Sequence, residues 1–105
     1  MKLTDDESSR LLPFKRVANF RDLGGYPAAD GRTVRWGALY RSGHLAKMKR
    51  RDKDLFVTLG IDTVIDLRSD YERKRAPNRL PAQDPPKVLE LSILDEANAY
   101  MRKEI

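Results

Sequence analysis

Arginine residues beside small polar residues mark three places where the chain is about to turn. Arg21-Asp22 stands just before Gly24-Gly25, whereas Arg41-Ser42 and Arg68-Ser69 each precede a predicted helix. A planar guanidinium group binds phosphate or carboxylate through two parallel hydrogen bonds. Three arginines at such corners are therefore compatible with a site for an anionic group.

Asp66 and Arg68 end the segment that has the clearest strand pattern. In open α/β sheets, ligands bind beyond the carboxyl ends of the strands, and the free N–H groups of a helix that follows Ser69 could face an anion. A structural interpretation competes with this one, because serines cap helices and arginines at corners commonly bind backbone carbonyls or a neighbouring aspartate. The residue types alone leave both interpretations open.

No residue of the chain is an evident nucleophile. The 105 residues contain no cysteine, which excludes disulfides and thiolate metal sites within the chain. The single histidine, His44, could act as a general base, although a lone histidine near the start of a helix is more typical of a surface or capping residue. The sequence has no metal-ligand spacing and no phosphate-binding glycine loop, so we expect no metal and no cofactor.

These residues lie at the ends of predicted elements. An extended segment is predicted from Phe14 through Phe20 to Gly24-Gly25, and residues 33–41 return as its hairpin partner after a turn at Asp30-Gly31. A helix that ends at Gly60 follows. Four apolar residues fall on one face of that helix: Met48, Leu55, Phe56 and Leu59.

The second half of the chain alternates strand and helix patterns. Residues 61–68 predict a strand, in which Ile61, Thr63, Ile65 and Leu67 alternate with Asp62, Val64, Asp66 and Arg68. Ser69 and Glu72 have the spacing of a capping box, which predicts the start of a helix. Prolines make residues 76–86 an irregular connection. Residues 88–94 predict a second core strand, and Asp95 can cap a last helix through Tyr100.

This order of elements predicts an α/β fold: an N-terminal hairpin plus a mixed or parallel sheet with flanking helices. The middle strands of a parallel sheet need cover on both faces, and two parallel strands with a hairpin make a poor complete sheet. We therefore expect a fold that is incomplete at the C-terminus, with residues 1–12 as a flexible tail and residues 13–105 as part of a domain. A free strand edge favours a homo-oligomer, most simply a dimer.

Composition narrows the classes of partner. Lys plus Arg is 21 and Asp plus Glu is 16, and the net charge of +5 favours anionic partners. No long apolar run and no signal-peptide pattern is present, so we expect a cytoplasmic protein without a membrane span. Nucleic-acid binding is not expected, because exposed aromatic residues are not interleaved with the basic ones. Four basic residues form a cluster that we interpret as a solvated face, with contact to anionic lipid or phosphorylated substrate as the alternative: Lys47, Lys49, Arg50 and Arg51.

Three motifs, NFRDLGG, GALYRSGHL and LGIDTVIDLRSDYE, occur in this order between about Val17 and Pro81. In sequence and spacing they resemble the N-terminal half of the bacterial and fungal tyrosine/serine phosphatases, the lipid and protein phosphatases related to secreted mycobacterial and listerial enzymes. The resemblance implies a dual-specificity-phosphatase-like fold and hydrolysis of phosphomonoesters through a cysteinyl-phosphate, without metal or cofactor. It implies phosphorylated proteins or phosphoinositides as substrates.

The resemblance also assigns roles to residues. Phe20 would anchor the first strand, and Arg21 and Asp22 would brace loops beside the phosphate site. Asp66, supported by Arg68, would hold the catalytic loop or lie near the leaving group. The candidate phosphate-site and supporting residues are thus Asn19, Arg21, Asp22, Arg41, Ser42, Asp66 and Arg68.

The chain departs from the family in one respect. The catalytic loop of these phosphatases reads His-Cys-x-x-Gly-Lys-Asp-Arg and lies C-terminal to every motif found here, and its thiolate is the nucleophile. Two hypotheses follow. The chain is either the N-terminal part of a phosphatase, inactive alone, or a non-catalytic module that binds phosphorylated groups or a partner protein and works as an oligomer.

Overall fold

Residues 9–92 are described by the computed structural model, and they form short strands and helices joined by long loops. The elements are β1 (Arg21–Asp22), β2 (Tyr40–Arg41), α1 (Arg50–Thr58), β3 (Thr63–Asp66), α2 (Asp70–Arg75) and β4 (Lys87–Glu90). Strands β1 and β2 pair antiparallel, whereas β3 and β4 pair parallel across the α2 connection. The predicted α/β class is confirmed as a mixed arrangement of two small sheets and two helices.

Helix α2 begins as its sequence predicts. The Ser69 hydroxyl accepts a hydrogen bond from the Glu72 backbone N–H at 3.2 Å, and the Ser69 backbone N–H donates to Glu72 Oε1 at 3.3 Å. These reciprocal bonds form the capping box, which satisfies N–H groups that the first turn leaves without helical partners. Ser69 is therefore a capping residue.

The core lies between α1 and the loops that precede it. Phe20 stacks on Phe14 at 4.0 Å between ring centroids and meets the edge of the Phe56 ring at 6.5 Å. The buried members of this core are Val17, Phe20, Leu45, Met48 and Phe56. The predicted apolar face of α1 is confirmed for Phe56, which is buried, and Leu55, which is half-buried. Met48 is also buried but precedes the helix, and the half-buried Leu59 is its C-cap. The helix ends as predicted, because Gly60 follows its C-cap with φ +63°.

The two faces of the β3–β4 sheet are covered unequally. Val64 is half-buried and Asp66 is buried, whereas Ile65 and Leu67 on the other face are 57% and 49% exposed. Leu89, the cross-strand partner of Ile65, is 44% exposed. Three members of the more apolar set of the predicted alternation, Thr63, Ile65 and Leu67, are therefore exposed, whereas Ile61 packs against the core. The prediction of residues 88–94 as a core strand is wrong for Leu89 and Leu91, which are exposed.

The predicted extended segment is confirmed only near its end, where Arg21–Asp22 form β1 and pair with the predicted returning segment. Residues 14–20 form loops and turns, so the prediction is wrong for them. A buried carboxylate replaces strand pairing there. The backbone N–H groups of Lys15 and Arg16 each donate to a different oxygen of Asp52, both at 2.8 Å. Asn19 then adopts φ +52°, a left-handed conformation that asparagine tolerates better than most residues.

Asp52 also stabilises the start of α1. Lys49 occupies the N-cap position and its side chain makes no capping bond. Asp52 lies in the first turn and is 2% exposed, so its negative charge is near the positive end of the helix dipole. The start of the helix is thus fixed by a contact with the loop at residues 15–16 more than by its own cap.

Ordered structure begins before Pro13. Arg10 is buried, its Nε donates to the Gly24 carbonyl at 2.9 Å, and its guanidinium carbon lies 3.7 Å from the centroid of the Tyr26 ring. Leu12 donates its backbone N–H to the Phe20 carbonyl at 2.9 Å. Residues 1–8, the end of the predicted second strand and the predicted helix from Asp95 to Tyr100 lie outside the described residues. Among residues 9–92, no helix is both long enough and apolar enough to cross a membrane.

We expect Asp52→Asn to lower the free energy of unfolding by about 2–4 kcal/mol, because an amide accepts only one of the two N–H bonds and buries the other donor unpaired. The matched control is Asp54→Asn, an exposed residue of the same helix, for which we expect a change within about 0.5 kcal/mol. Urea unfolding followed by circular dichroism measures both. Equal midpoints for the two variants would contradict the role given to Asp52.

Candidate functional site: an arginine pair and a braced strand end

Strands β1 and β2 place two arginines directly opposite each other. Arg21 is the register partner of Arg41, and Asp22 is the partner of Tyr40. Directly opposed residues of an antiparallel pair share one face, with Cβ atoms about 5 Å apart, and like charges in such a pair repel. Within residues 9–92, the ion pairs are formed by Arg32, Arg68 and Arg73, so neither Arg21 nor Arg41 is paired with an acid there.

Asp22 fixes the loops on both sides of the arginine pair. Its carboxylate accepts the backbone N–H of Gly24 and that of Gly37, each at 2.8 Å. Asp22 thus holds these loops through their backbone N–H groups. Asp22 and Arg21 are consecutive strand residues, so their side chains point to opposite faces. Burial, and then the negative charge of Asp22, raise the pKa of the Tyr40 phenol on the inner face.

The two glycines of NFRDLGG are required for different reasons. A Cβ atom at Gly24 would lie 2.6 Å from the Trp36 Cα, so the close approach of Trp36 excludes a side chain there. Gly25 has φ +81°, a conformation that favours glycine. The indole of Trp36 and the ring of Tyr26 then lie on Arg10, at 5.7 Å and 3.7 Å from its guanidinium carbon.

The first two motifs contact each other next to the arginine pair. The Gly43 backbone N–H donates to the Ala18 carbonyl at 2.8 Å, beside Asn19. Ser42 is exposed and its hydroxyl donates to the Gly43 carbonyl at 2.8 Å. His44 Nδ1 accepts the Ala46 backbone N–H at 3.3 Å, which agrees with the capping interpretation of this histidine.

Asp66 and Arg68 form a closed network at the carboxyl end of β3. Arg68 Nε and Nη2 donate to the two oxygens of Asp66, both at 3.0 Å. Arg68 Nη1 donates to the Ala76 carbonyl at 2.8 Å, and Asn78 Nδ2 donates to Asp66 Oδ2 at 3.1 Å. All three nitrogens of the guanidinium group are therefore engaged, and this network ties the strand end to the loop after α2.

The network sets the protonation of Asp66. Burial alone would raise the pKa of its carboxyl, but the hydrogen bonds and charge of Arg68, with the Asn78 amide, outweigh burial and lower the pKa. Asp66 is thus ionised at neutral pH. A general acid must carry a proton, so the geometry favours the bracing role of Asp66 over proton donation to a leaving group.

The structure divides the sequence candidates between its two sheets. Asn19, Arg21, Asp22, Arg41 and Ser42 gather around β1 and β2, whereas Asp66 and Arg68 lie at β3. Arg10, Asp52 and Asn78 escaped the sequence interpretation, because each acts through a partner at least 12 residues away. Among residues 9–92, no three His, Asp or Glu side chains are grouped to hold a metal ion.

Comparison with known proteins identifies the family of this chain. Residues 12–104 match the sequence profile of the tyrosine phosphatase family. The chain belongs to that family. A protein of Cupriavidus necator whose name places it with the tyrosine-protein phosphatases is 48% identical over 62 residues, which are 59% of this chain and 23% of that protein. The chain therefore matches about a quarter of the length of this relative.

We expect Asp66→Asn to lower the free energy of unfolding of this phosphatase-family chain by about 2–4 kcal/mol at neutral pH, because Arg68 would lose its carboxylate partner. Since the pKa of Asp66 is lowered in the folded state, its contribution is present above about pH 4 and is lost as pH falls through the folded pKa. The stability difference between wild type and Asp66→Asn should therefore shrink in acid.

Urea unfolding of both proteins from neutral pH down to the acid transition measures this difference. The control is Asp62→Asn, an exposed position one residue before β3. A difference that stays constant across the acid range would show that the Asp66 carboxylate is not held ionised by the network.

Proposed function

We propose that this chain forms the phosphate-recognition and scaffold part of a phosphomonoester hydrolase of the tyrosine/serine phosphatase type. The observation that carries the proposal is the cross-strand pair of Arg21 and Arg41, two cations held on one face without an acid partner in residues 9–92. Guanidinium groups stabilise the negative charge on the non-bridging oxygens of a transferring phosphoryl group.

The nucleophile comes from outside these 105 residues, which contain no cysteine. In the proposed reaction, a cysteine thiolate attacks phosphorus, the bond from phosphorus to the leaving oxygen breaks, and that oxygen takes a proton. Water then attacks the cysteinyl-phosphate, which releases inorganic phosphate and restores the thiolate. The ionised Asp66 and its partner Arg68 act as a brace for the catalytic loop that carries this cysteine. Asp22 holds the loops at Gly24 and Gly37.

Several finer features belong to the same proposal. The complete domain has a dual-specificity-phosphatase-like fold, is related to the secreted mycobacterial and listerial enzymes, and acts on phosphorylated proteins or phosphoinositides. A cytoplasmic location of this chain is part of the proposal. A homo-dimer would cover the apolar face that includes Ile65 and Leu89, and light scattering at micromolar concentration decides between dimer and monomer.

The second candidate function is a module that binds phosphorylated groups without hydrolysing them. The same arginine pair supports it, because binding needs no nucleophile. The two functions differ in whether a cysteine loop works together with this chain. A coding sequence downstream of Ile105 that contains this loop supports the hydrolase, and an unrelated gene supports the binding module.

The 105-residue chain should not hydrolyse p-nitrophenyl phosphate above the buffer background, because it lacks the thiolate that the mechanism requires. Colour release in the presence of a metal chelator measures this. Turnover that Asp66→Asn or His44→Gln abolishes would contradict the prediction, because it would demonstrate a mechanism without cysteine.

Arg41→Gln should weaken the binding of vanadate or inorganic phosphate by about five- to tenfold, because a charge-assisted hydrogen bond contributes about 1–1.4 kcal/mol in an exposed setting. Arg51→Gln, which removes the same charge from the exposed surface of α1, should weaken it less than about twofold. Calorimetric titration at low ionic strength compares the two variants. An equal loss of affinity in the two variants would mean that diffuse surface charge attracts the anion and that the arginine pair is not a phosphate-binding site.

A further inference from the structure

A second concentration of positive charge lies in a depression of about 330 Å³ on the N-terminal side of α1. Its lining includes Lys15, Arg16 and Val17 from the loop that Asp52 holds, and Gly43, His44 and Lys47 from the segment after β2. The sequence suggested only the cluster from Lys47 to Arg51. The structure adds Lys15 and Arg16, which are about 30 residues away along the chain, and shows that the surface between them is concave.

The backbone beneath these side chains is fixed. Asp52 binds the N–H groups of Lys15 and Arg16, and the Gly43 N–H binds the Ala18 carbonyl. Val17 and Leu45 are buried on either side. The backbone positions that carry the cationic residues are therefore fixed on both sides of the depression, which lowers the entropy that a ligand must remove on binding.

The charges of the depression have no acid partner in the described part of the chain. Asp52 is buried and uses both carboxylate oxygens for backbone N–H groups. Within residues 9–92 the ion pairs belong to Arg32, Arg68 and Arg73, and none of these arginines lines the depression. Three like charges held around one concavity repel one another, and an anion between them removes that repulsion.

His44 adds a hydrogen-bond donor. Because Nδ1 accepts the Ala46 backbone N–H, the neutral imidazole carries its proton on Nε2. The residues that line the depression thus include two lysines, one arginine and one histidine, all exposed. These groups donate hydrogen bonds, which matches the acceptor oxygens of a phosphate group.

We propose that this depression, formed by Lys15, Arg16, His44 and Lys47, is a second anion site that binds a phosphomonoester group of a small molecule or a lipid headgroup. Its volume is near the lower end of small-ligand sites, which suits one compact group. Its lining contains no Phe, Tyr or Trp ring on which a nucleobase could stack. None of its residues belongs to the arginine pair, so the proposal does not depend on the proposed hydrolase.

The depression is close to the arginine pair along the chain. Gly43 lines it and follows Arg41 by two residues, a separation of at most about 7 Å between Cα atoms. A ligand with two phosphomonoester groups could therefore occupy both sites at once. Such a ligand should bind more strongly than inorganic phosphate, because the second contact is made within one complex.

Titration of the 105-residue chain with inorganic phosphate, followed by amide NMR shifts, tests the proposal. The amides of residues 15–18 and 43–47 should shift together along one binding curve. The double variant Lys15→Gln/Lys47→Gln should weaken this curve about tenfold, and the control Arg51→Gln/Lys74→Gln, with the same loss of charge at exposed positions, less than about twofold. In Arg41→Gln the curve read at residues 15–18, which lie outside the arginine pair, should weaken less than about twofold, which separates this site from the proposed phosphatase site.

A measurement on the unsubstituted chain covers the case in which a variant unfolds. Phosphate should protect Lys15 and Lys47 from acetylation, as read by mass spectrometry, and leave Lys74 reactive. Inositol hexakisphosphate and vesicles containing phosphatidylinositol phosphate then distinguish a soluble ligand from a lipid headgroup, and protection by either supports the proposal. Three results would overturn the proposal. Phosphate could protect all lysines equally, or the two double variants could lose phosphate affinity equally. The chain could also bind vesicles of phosphatidylserine as strongly as vesicles that contain phosphatidylinositol phosphate.

Discussion

The burial of the Asp22 carboxylate is the constraint on which the two-stranded sheet and its outer surface depend. Asp22 accepts backbone N–H groups from Gly24 and Gly37, so it joins the turn after β1 to the loop before β2. Residues next to each other in a strand point to opposite faces. Once Asp22 faces inward with Phe20 and Tyr40, Arg21 must face outward, and the register brings Arg41 beside it. The inner face stabilises the fold, and the outer face carries the charge that we assign to phosphate recognition.

Buried aspartates replace regular secondary structure in much of this chain. Asp22, Asp52 and Asp66 are each at most 8% exposed, and each accepts hydrogen bonds that join separate segments or a strand end to a loop. A carboxylate offers two oxygens at a fixed angle, so it can satisfy two N–H donors that would otherwise be buried unpaired. This explains how strands of two to four residues remain in register.

The sequence predicts the features of this fold that local chemistry decides. The capping box at Ser69, the end of α1 at Gly60 and the parallel pairing of β3 with β4 depend on neighbouring residues or on element order, and all are confirmed. The sequence does not predict the features that depend on partners far along the chain. Residues 14–20 have a strand-like composition, but the carboxylate of Asp52 offers their backbone a different partner. Likewise, alternation in β3 shows that two faces exist, and which face is covered depends on what packs there.

A crystal structure of the chain with bound tungstate, located by its anomalous signal, tests the central claim most directly. The account predicts a tungstate ion between Arg21 and Arg41, within hydrogen-bonding distance of both guanidinium groups, while Asp22 keeps its bonds to Gly24 and Gly37. If the two guanidinium groups point to opposite faces, or if each binds an acid of the chain while tungstate binds elsewhere, the buried aspartate does not build a phosphate site.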